Sequence, residues 1–218
     1  MMQAARKLKG STVTKVEGFT IRSLPKELRD QTRRTGILDA ASRCVVRHGF
    51  HGTSMAEIAA EAALSVGQIY RYFPSKEAIV HALVERIVDN RLQWIDDSHH
   101  GISRPELPAL LALRFAIEQE QDRREDRILM LEVMAESTRN PAVLEILRNA
   151  SRRLQDKGCE LIRRACPELT QAELTGRVEL FAVLAEGTAL RRITVGIDAE
   201  RLAEVYRTVL ESVLAPAI

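Results

Sequence analysis

The segment from Ser65 to Lys76 carries side chains whose chemistry suits contact with a DNA duplex. Gln68 can form a bidentate pair with adenine, Val66 can touch a thymine methyl group, and Gly67 lets the backbone approach closely. Hydroxyl and ammonium groups in and beside the segment are suited to phosphate oxygens. The predicted DNA contacts are Thr53, Ser65, Val66, Gly67, Gln68, Tyr70, Arg71, Tyr72 and Lys76.

Two short helices must position these side chains, because capping-box patterns begin at Ser54 and at Ser65. In the second helix Ile69 and Phe73 lie four residues apart, so they share one face and attach the helix to a core. The polar face is then left without a partner inside the chain. Two short helices separated by about three residues are the geometry of a helix-turn-helix, whose second helix enters the major groove.

The rest of the chain also has helical periodicity, and we find no alternating strand pattern. A first helix opens near Pro25 and closes at Gly49, which suits a left-handed position, and a long helix starts at Lys76. A charged turn is predicted over 122–126. Caps and prolines delimit further helices at about 107–118, around 128–135, at 141–166, at 171–194 and at 199–214.

Composition favours a helical protein with a basic N-terminal part. Of the 218 residues, 45% are hydrophobic and only 4% are aromatic, which disfavours strands. Residues 1–90 hold 14 basic and 9 acidic side chains, a net charge of +5, and residues 91–218 hold 18 and 21, a net charge of −3. Three cysteines without paired spacing, no apolar run long enough for a membrane, and no signal peptide predict a reduced, cytoplasmic setting.

Residues 53–83, TSMAEIAAEAALSVGQIYRYFPSKEAIVHAL, resemble the N-terminal signature of the TetR/AcrR family of bacterial regulators. The shared elements are an Ile-Ala pair, a small-residue turn before Ser65, a Gly-x-Ile-Tyr-x-Tyr-Phe run and Ser-Lys-Glu-Ala, within a matched stretch of roughly 33–86. Ala63 replaces the usual turn glycine, so the turn must form with a non-glycine residue. Val66 replaces a frequent lysine, which removes one phosphate contact.

The resemblance implies an all-α fold of about nine helices, with a three-helix DNA-binding domain that contains the helix-turn-helix over 24–74 and an effector-binding and dimerisation domain over 75–218. Weak periodicity and clustered Arg and Lys separately predict a flexible basic arm over 1–23. The arm is equally well interpreted as an inert leader. The implied function is that of a regulator, most simply a repressor, which binds an inverted repeat in double-stranded DNA as a homodimer and is released by a small-molecule effector.

Two further sets of residues follow from this interpretation. The effector pocket is predicted to use Trp94, Phe115, Met130, Met134 and Phe181, although each residue alone also fits a plain core position. The helix over 171–194 is apolar on more than one face, so it must bury both sides, and a partner subunit can cover the second. The predicted dimer interface is Leu180, Val183, Gly187, Leu202, Tyr206 and Val209.

Two other classes of protein were weighed against a regulator. For an enzyme we find no paired carboxylates, no nucleophile with a base and no phosphate loop, so no catalytic residue or cofactor is predicted. His99 and His100 are adjacent and lack other ligands nearby, so no metal is predicted either. A purely structural helical dimer would leave Tyr70, Tyr72 and Lys76 unexplained.

Overall fold

The computed structural model describes residues 25–98, 103–116, 124–196 and 198–215. Within these ranges the chain is all-α, as predicted, and contains no strand. The helices are α1 (Lys26–Gly52), α2 (Met55–Glu61), α3 (Val66–Tyr72), α4 (Lys76–Ser98), α5 (Leu107–Ala116), α6 (Arg124–Ser137), α7 (Pro141–Ala165), α8 (Gln171–Thr194) and α9 (Ala199–Leu214). The predicted arm over 1–23 and the pair His99 and His100 lie outside the described residues.

Local signals start and stop the helices around the helix-turn-helix. Gly49 interrupts α1 with a φ of 72°, a value that glycine adopts without steric cost. Both predicted capping boxes are present, because the Ser54 and Ser65 hydroxyl oxygens each accept from a backbone amide three residues ahead. Ala63 takes a φ of 52° in the turn, so a non-glycine residue adopts the left-handed geometry there.

The first hydrophobic core surrounds the helix-turn-helix and extends beyond it. Ile37 of α1, Ile58 of α2 and Ile69 of α3 are almost fully buried together. The same cluster includes Leu83 of α4 and Val133 of α6. Apolar packing therefore runs continuously across the predicted boundary between 24–74 and 75–218, because α4 and α6 share one core with α1, α2 and α3.

A second core joins the C-terminal helices. Leu107 of α5, Ile162 of α7, Leu174 of α8 and Leu210 of α9 are among its most deeply buried members. Cys44 is buried in the first core and Cys159 and Cys166 are buried in the second, and all three thiols are unbridged. None of the described helices has the length and apolar character needed to cross a membrane.

One predicted boundary is wrong. The charged run over 122–126 was expected to be a turn, but α6 already begins at Arg124. Glu125 and Asp126 occupy its first turn, where carboxylates interact favourably with the positive end of the helix dipole. Residues 122 and 123 lie outside the described part of the chain.

Candidate nucleic-acid interface and ligand cavity

Helix α3 presents one face to solvent because the opposite face is fixed in the core. Ile69 is fully buried, and Phe73, which follows the helix, is 1% exposed. Tyr70 is 50% exposed and Val66 is 39% exposed. The exposed surface, which we call the α3 face, consists of Ser65, Val66, Gly67, Gln68, Tyr70 and Arg71. It contains hydrogen-bonding, apolar and cationic groups, the mixture needed to contact base edges and phosphates.

Gln68 is engaged in capping its own helix. Its side-chain Oε1 accepts a hydrogen bond from the Ser65 backbone amide at 2.8 Å, and the backbone amide of Gln68 donates to the Ser65 hydroxyl at 3.3 Å. A bidentate pair with adenine uses both the oxygen and the nitrogen of the side-chain amide. The oxygen that caps α3 is thus the same atom that a bidentate contact with adenine would use, and its second lone pair is the one left for a base.

Two of the predicted phosphate contacts form hydrogen bonds within the chain. Thr53 is only 2% exposed, and its hydroxyl donates to the Gly49 carbonyl at 2.9 Å. The half-buried Tyr72 donates from its hydroxyl to Oδ1 of Asp30 on α1 at 3.2 Å. The first bond closes the end of α1 and the second joins the end of α3 to α1, while a phosphate contact of either residue stays a prediction.

Lys76, another predicted phosphate contact, also has a partner within the chain. Its Nζ donates to the Phe50 carbonyl and stands 4.1 Å from the centroid of the Phe50 ring. Burial lowers the pKa of Lys76, and Glu136 and Glu77 partly offset this effect. The ammonium group thus stabilises the end of α1 rather than extending to solvent.

Arg34 is a residue of this region that sequence reasoning missed. Its guanidinium donates to the Tyr72 carbonyl at 3.0 Å and lies 4.4 Å from the centroid of the Phe73 ring. The side chain thereby supplies a cation at the C-terminal end of α3, where a helix carbonyl needs a donor. The contact spans 38 residues of sequence, so no local pattern points to it.

The junction between α1 and α2, residues 49–54, is tied to α6. The Phe50 amide donates to Oε2 of Glu132 at 2.9 Å, and His51 Nδ1 lies 3.3 Å from Oε2 of the buried Glu136. A Cβ atom placed on Gly49 would be 3.1 Å from Glu132 Oε2, so the close approach also depends on that glycine. The helix before the helix-turn-helix is therefore attached directly to the C-terminal part of the chain.

A cavity of about 450 Å³ lies between α4, α5, α6, α7 and α8. Of the predicted pocket residues, Trp94, Met130, Met134 and Phe181 line it. Phe115 belongs to α5, but its side chain lies outside the described part of the structure. The volume falls within the roughly 300–1,000 Å³ typical of small-molecule sites.

The predicted dimer residues divide into exposed and buried members. Val183 is 57% exposed, Leu180 and Val209 are each 39% exposed, and Gly187 is exposed, whereas Leu202 is half-buried. Tyr206 is buried inside its own subunit, where its hydroxyl contacts Thr188 Oγ1 and donates to the Leu184 carbonyl at 3.3 Å. That side chain joins α9 to α8 and is not available to a partner. Sequence reasoning missed the exposed Leu190 and Val205.

In the part of the chain that the structure describes, no three His, Cys, Asp or Glu side chains are grouped as a metal site would require.

Comparisons with known proteins match both halves of the chain. Residues 37–83 match the family model of bacterial regulatory proteins, tetR family, and residues 107–215 match that of the BetI-type transcriptional repressor, C-terminal. The regulator UidR of Escherichia coli (strain K12) is 32% identical over 119 residues, which cover 55% of this chain and 59% of UidR. The regulator BetI of Burkholderia lata is 24% identical over 202 residues, which cover 88% of this chain and 99% of BetI.

The fold is similar to that of a solved structure. The structure of Salmonella enterica GusR superposes with a TM-score of 0.73 at 25% identity, covering 88% of this chain and 98% of GusR. The similarity therefore extends over both cores and is not confined to the helix-turn-helix. The two family models, which together span residues from α1 to the end of α9, show that the chain belongs to the tetR family of bacterial regulatory proteins.

Proposed function

We propose that the protein is a cytoplasmic DNA-binding transcriptional regulator, and that it represses by binding an inverted repeat as a homodimer until a small molecule releases it. The observation that carries the proposal is the α3 face, which a buried Ile69 holds outward at the end of a tight turn. The similarity to the transcriptional regulators UidR and BetI and to the BetI-type repressor model supports the same function.

The α3 face is the proposed recognition surface. Val66, Gln68 and Tyr70 would contact base edges in the major groove, and Arg71 and Ser65 would contact the flanking phosphates. The inward contacts of Thr53, Tyr72 and Lys76 give them a supporting role in this scheme, because they fix the angle at which α3 leaves the core. The recognition set is therefore narrower than the sequence predicted.

The proposed dimer surface lies on α8 and α9. Leu180, Val183, Gly187 and Leu190 recur at intervals of three and four residues, so they form one stripe along α8. Together with Val205 and Val209 of α9, they leave a set of apolar side chains in solvent. An exposed apolar surface of this kind marks an association site, and a two-fold axis would bring it against its own copy.

The proposed effector site is the 450 Å³ cavity, and α6 is its connection to DNA. Met130 and Met134 lie on the cavity side of α6, whereas Glu132 contacts the Phe50 amide. Two residues along a helix correspond to a rotation of roughly 200°, so these contacts lie on opposite faces. A ligand that displaces α6 would change the α1–α2 junction, provided that it binds the two arrangements with different affinity.

The test is in vitro selection of duplex sites followed by salt titrations of the preferred site. We expect an inverted repeat with half-sites about one DNA turn, roughly 34–36 Å, apart or at a nearby spacing. Arg71→Gln should weaken binding and reduce the slope of log K against log salt by about one, because one phosphate contact is lost. Arg163→Gln, which removes an exposed cation far from α3, is the matched control. Selection that returns no preferred duplex would contradict the proposal.

A further inference from the structure

The ionised side chains that reach deepest into the cavity wall are arginines. Arg91, Arg114 and Arg127 line the cavity and are half-buried, whereas the other ionised lining residues, Arg152, Glu179 and Glu186, are exposed. Among the described lining residues, the half-buried ionised groups are therefore all guanidinium groups, and the carboxylates lie at the rim.

The position of these guanidinium groups favours a ligand that carries a negative charge. A charge removed from water loses solvation, and the Coulomb interaction with neighbouring charges grows as the effective dielectric constant falls. An anion that enters the cavity is attracted by the half-buried guanidinium groups, whereas a cation is repelled by them. The planar guanidinium also matches a carboxylate with two parallel hydrogen bonds, which are stronger than neutral ones.

The single tryptophan supports the same conclusion. Trp94 lines the cavity, and an aromatic face of this kind is the group that binds a quaternary ammonium ion. The guanidinium carbon of Arg114 already lies 4.9 Å from the centroid of the Trp94 ring. One cation of the protein itself thus covers one face of the ring and repels a cationic ligand that approaches it.

The remaining wall is apolar and suits the body of an amphipathic molecule. Leu111, Met130, Met134, Ile162 and Phe181 all line the cavity. Burial of a hydrocarbon or aromatic group against them is favourable because it removes apolar surface from water. We propose that the cavity binds an organic acid, with its carboxylate toward Arg91, Arg114 and Arg127 and its apolar body toward these side chains. The effector role of such an acid rests on the proposed function, whereas its binding depends only on the residues that line the cavity.

The experiment compares three probes that share a phenyl group and a short chain. They are 4-phenylbutyrate, 4-phenylbutanol and (3-phenylpropyl)trimethylammonium, titrated by calorimetry and by the fluorescence of Trp94. We expect the anion to bind most tightly. Arg127→Gln or Arg91→Gln should weaken binding of the anion roughly tenfold to a hundredfold, the range of a charge-assisted hydrogen bond, and leave binding of the alcohol unchanged.

Two further variants complete the design. Arg148→Gln removes an exposed cation of α7 that does not line the cavity, so it should leave all three affinities unchanged. Arg114→Gln should raise the affinity of the trimethylammonium probe relative to the anion, because it uncovers the face of Trp94. Circular dichroism of each variant shows whether it folds.

The outcomes separate this inference from the proposed function. Failure of the anion to bind, binding of the alcohol or the cation as tightly as the anion, or unchanged anion affinity in both Arg127→Gln and Arg91→Gln would overturn the inference. If a neutral or cationic probe binds the cavity and releases the selected duplex, the proposed function stands without it. If 4-phenylbutyrate binds through the arginines but duplex binding does not change, the acid site stands and its effector role fails.

Discussion

The backbone amide of Phe50 donates to Oε2 of Glu132, and this 2.9 Å hydrogen bond joins α1 to α6 across 82 residues of sequence. The carbonyl of the same residue accepts from Lys76 Nζ at the start of α4. Phe50 is thus held by both helices that connect the helix-turn-helix to the cavity. Because the contact is partly buried, loss of the acceptor would leave a backbone donor without a partner in a region from which water is partly excluded.

Glu132→Ala should therefore lower the free energy of unfolding by about 1–3 kcal/mol. It should also reduce the effect of a cavity ligand on duplex binding, since α6 loses its attachment to the α1–α2 junction. Glu132→Gln keeps an acceptor at the same position and should recover most of the stability and most of the response to ligand.

Urea unfolding and duplex titrations with and without ligand measure these effects. Glu145→Gln, which removes an exposed carboxylate of α7, serves as the control. Equal ligand response in Glu132→Ala and wild type would exclude α6 as the connection.

A second prediction separates support of α3 from contact with DNA. Ile69 is fully buried, so Ile69→Ala should cost about 2–5 kcal/mol of stability through lost burial and a residual cavity. Val66 is 39% exposed, so Val66→Ala should change stability by less than about 0.5 kcal/mol. Duplex affinity should nevertheless fall in Val66→Ala, with the loss confined to sites that carry the contacted thymine. A uniform loss over all duplexes would show that Val66 does not contact a base.

A third prediction uses the two roles of Gln68. Gln68→Glu retains an acceptor for the Ser65 amide, because glutamate is equally suited to the third position of a capping box. Its stability should match that of wild type, yet it lacks the amide donor for adenine and adds a negative charge beside the phosphates. We expect base preference at one position per half-site to disappear, with a loss of about 1–3 kcal/mol in discrimination. Thermal unfolding and selection on the variant measure the two properties, and a Gln68→Glu protein with wild-type site preference would refute the assigned contact.

The sequence predicted the elements whose causes are local. The boxes at Ser54 and Ser65, the break at Gly49 and the proline start of α7 each depend on residues within four positions, so their chemistry is visible in the printed chain. The helix-turn-helix and its exposed face follow from these starts together with the position of Ile69.

The orientation of individual polar side chains could not be predicted in the same way. Thr53, Tyr72 and Tyr206 have hydroxyls that suit contact with another molecule, but each hydroxyl is bound within the chain. The partners of Tyr72 and Tyr206 are 42 and 22 residues away, and they meet only after helices pack. Residue type gives the chemistry of such a group, whereas tertiary contacts decide which way it points.

A fourth prediction concerns the buried thiols. Burial raises the pKa of Cys44 and of Cys166, so the folded protein keeps both thiols protonated at a pH where the unfolded chain loses the protons. The free energy of unfolding should therefore fall as the pH rises above the ordinary thiol pKa of about 8.5, by up to about 1.4 kcal/mol per pH unit for each thiol. Urea unfolding between neutral and alkaline pH measures the slope. The double variant Cys44→Ala with Cys166→Ala should have a shallower slope, and identical slopes would contradict the assignment.

The last prediction tests the apolar stripe of α8. Val183 is 57% exposed, lies at the centre of the stripe and belongs to neither hydrophobic core, so Val183→Glu leaves both cores unchanged while adding a charge at the edge of the cavity. A carboxylate at that position would lose its hydration when two copies associate, and across a two-fold axis it would also face its own copy. We expect the variant to sediment as a folded monomer at concentrations where the wild type is a dimer. Its affinity for an inverted repeat should fall toward that for a single half-site, because the two recognition helices are no longer linked.

Ala142→Glu places the same charge on an exposed position of α7 and should leave both the dimer and duplex binding intact. Sedimentation velocity and titration of full and half sites provide the measurements. A Val183→Glu protein that remains a dimer, or a wild type that is monomeric, would show that α8 is not the interface.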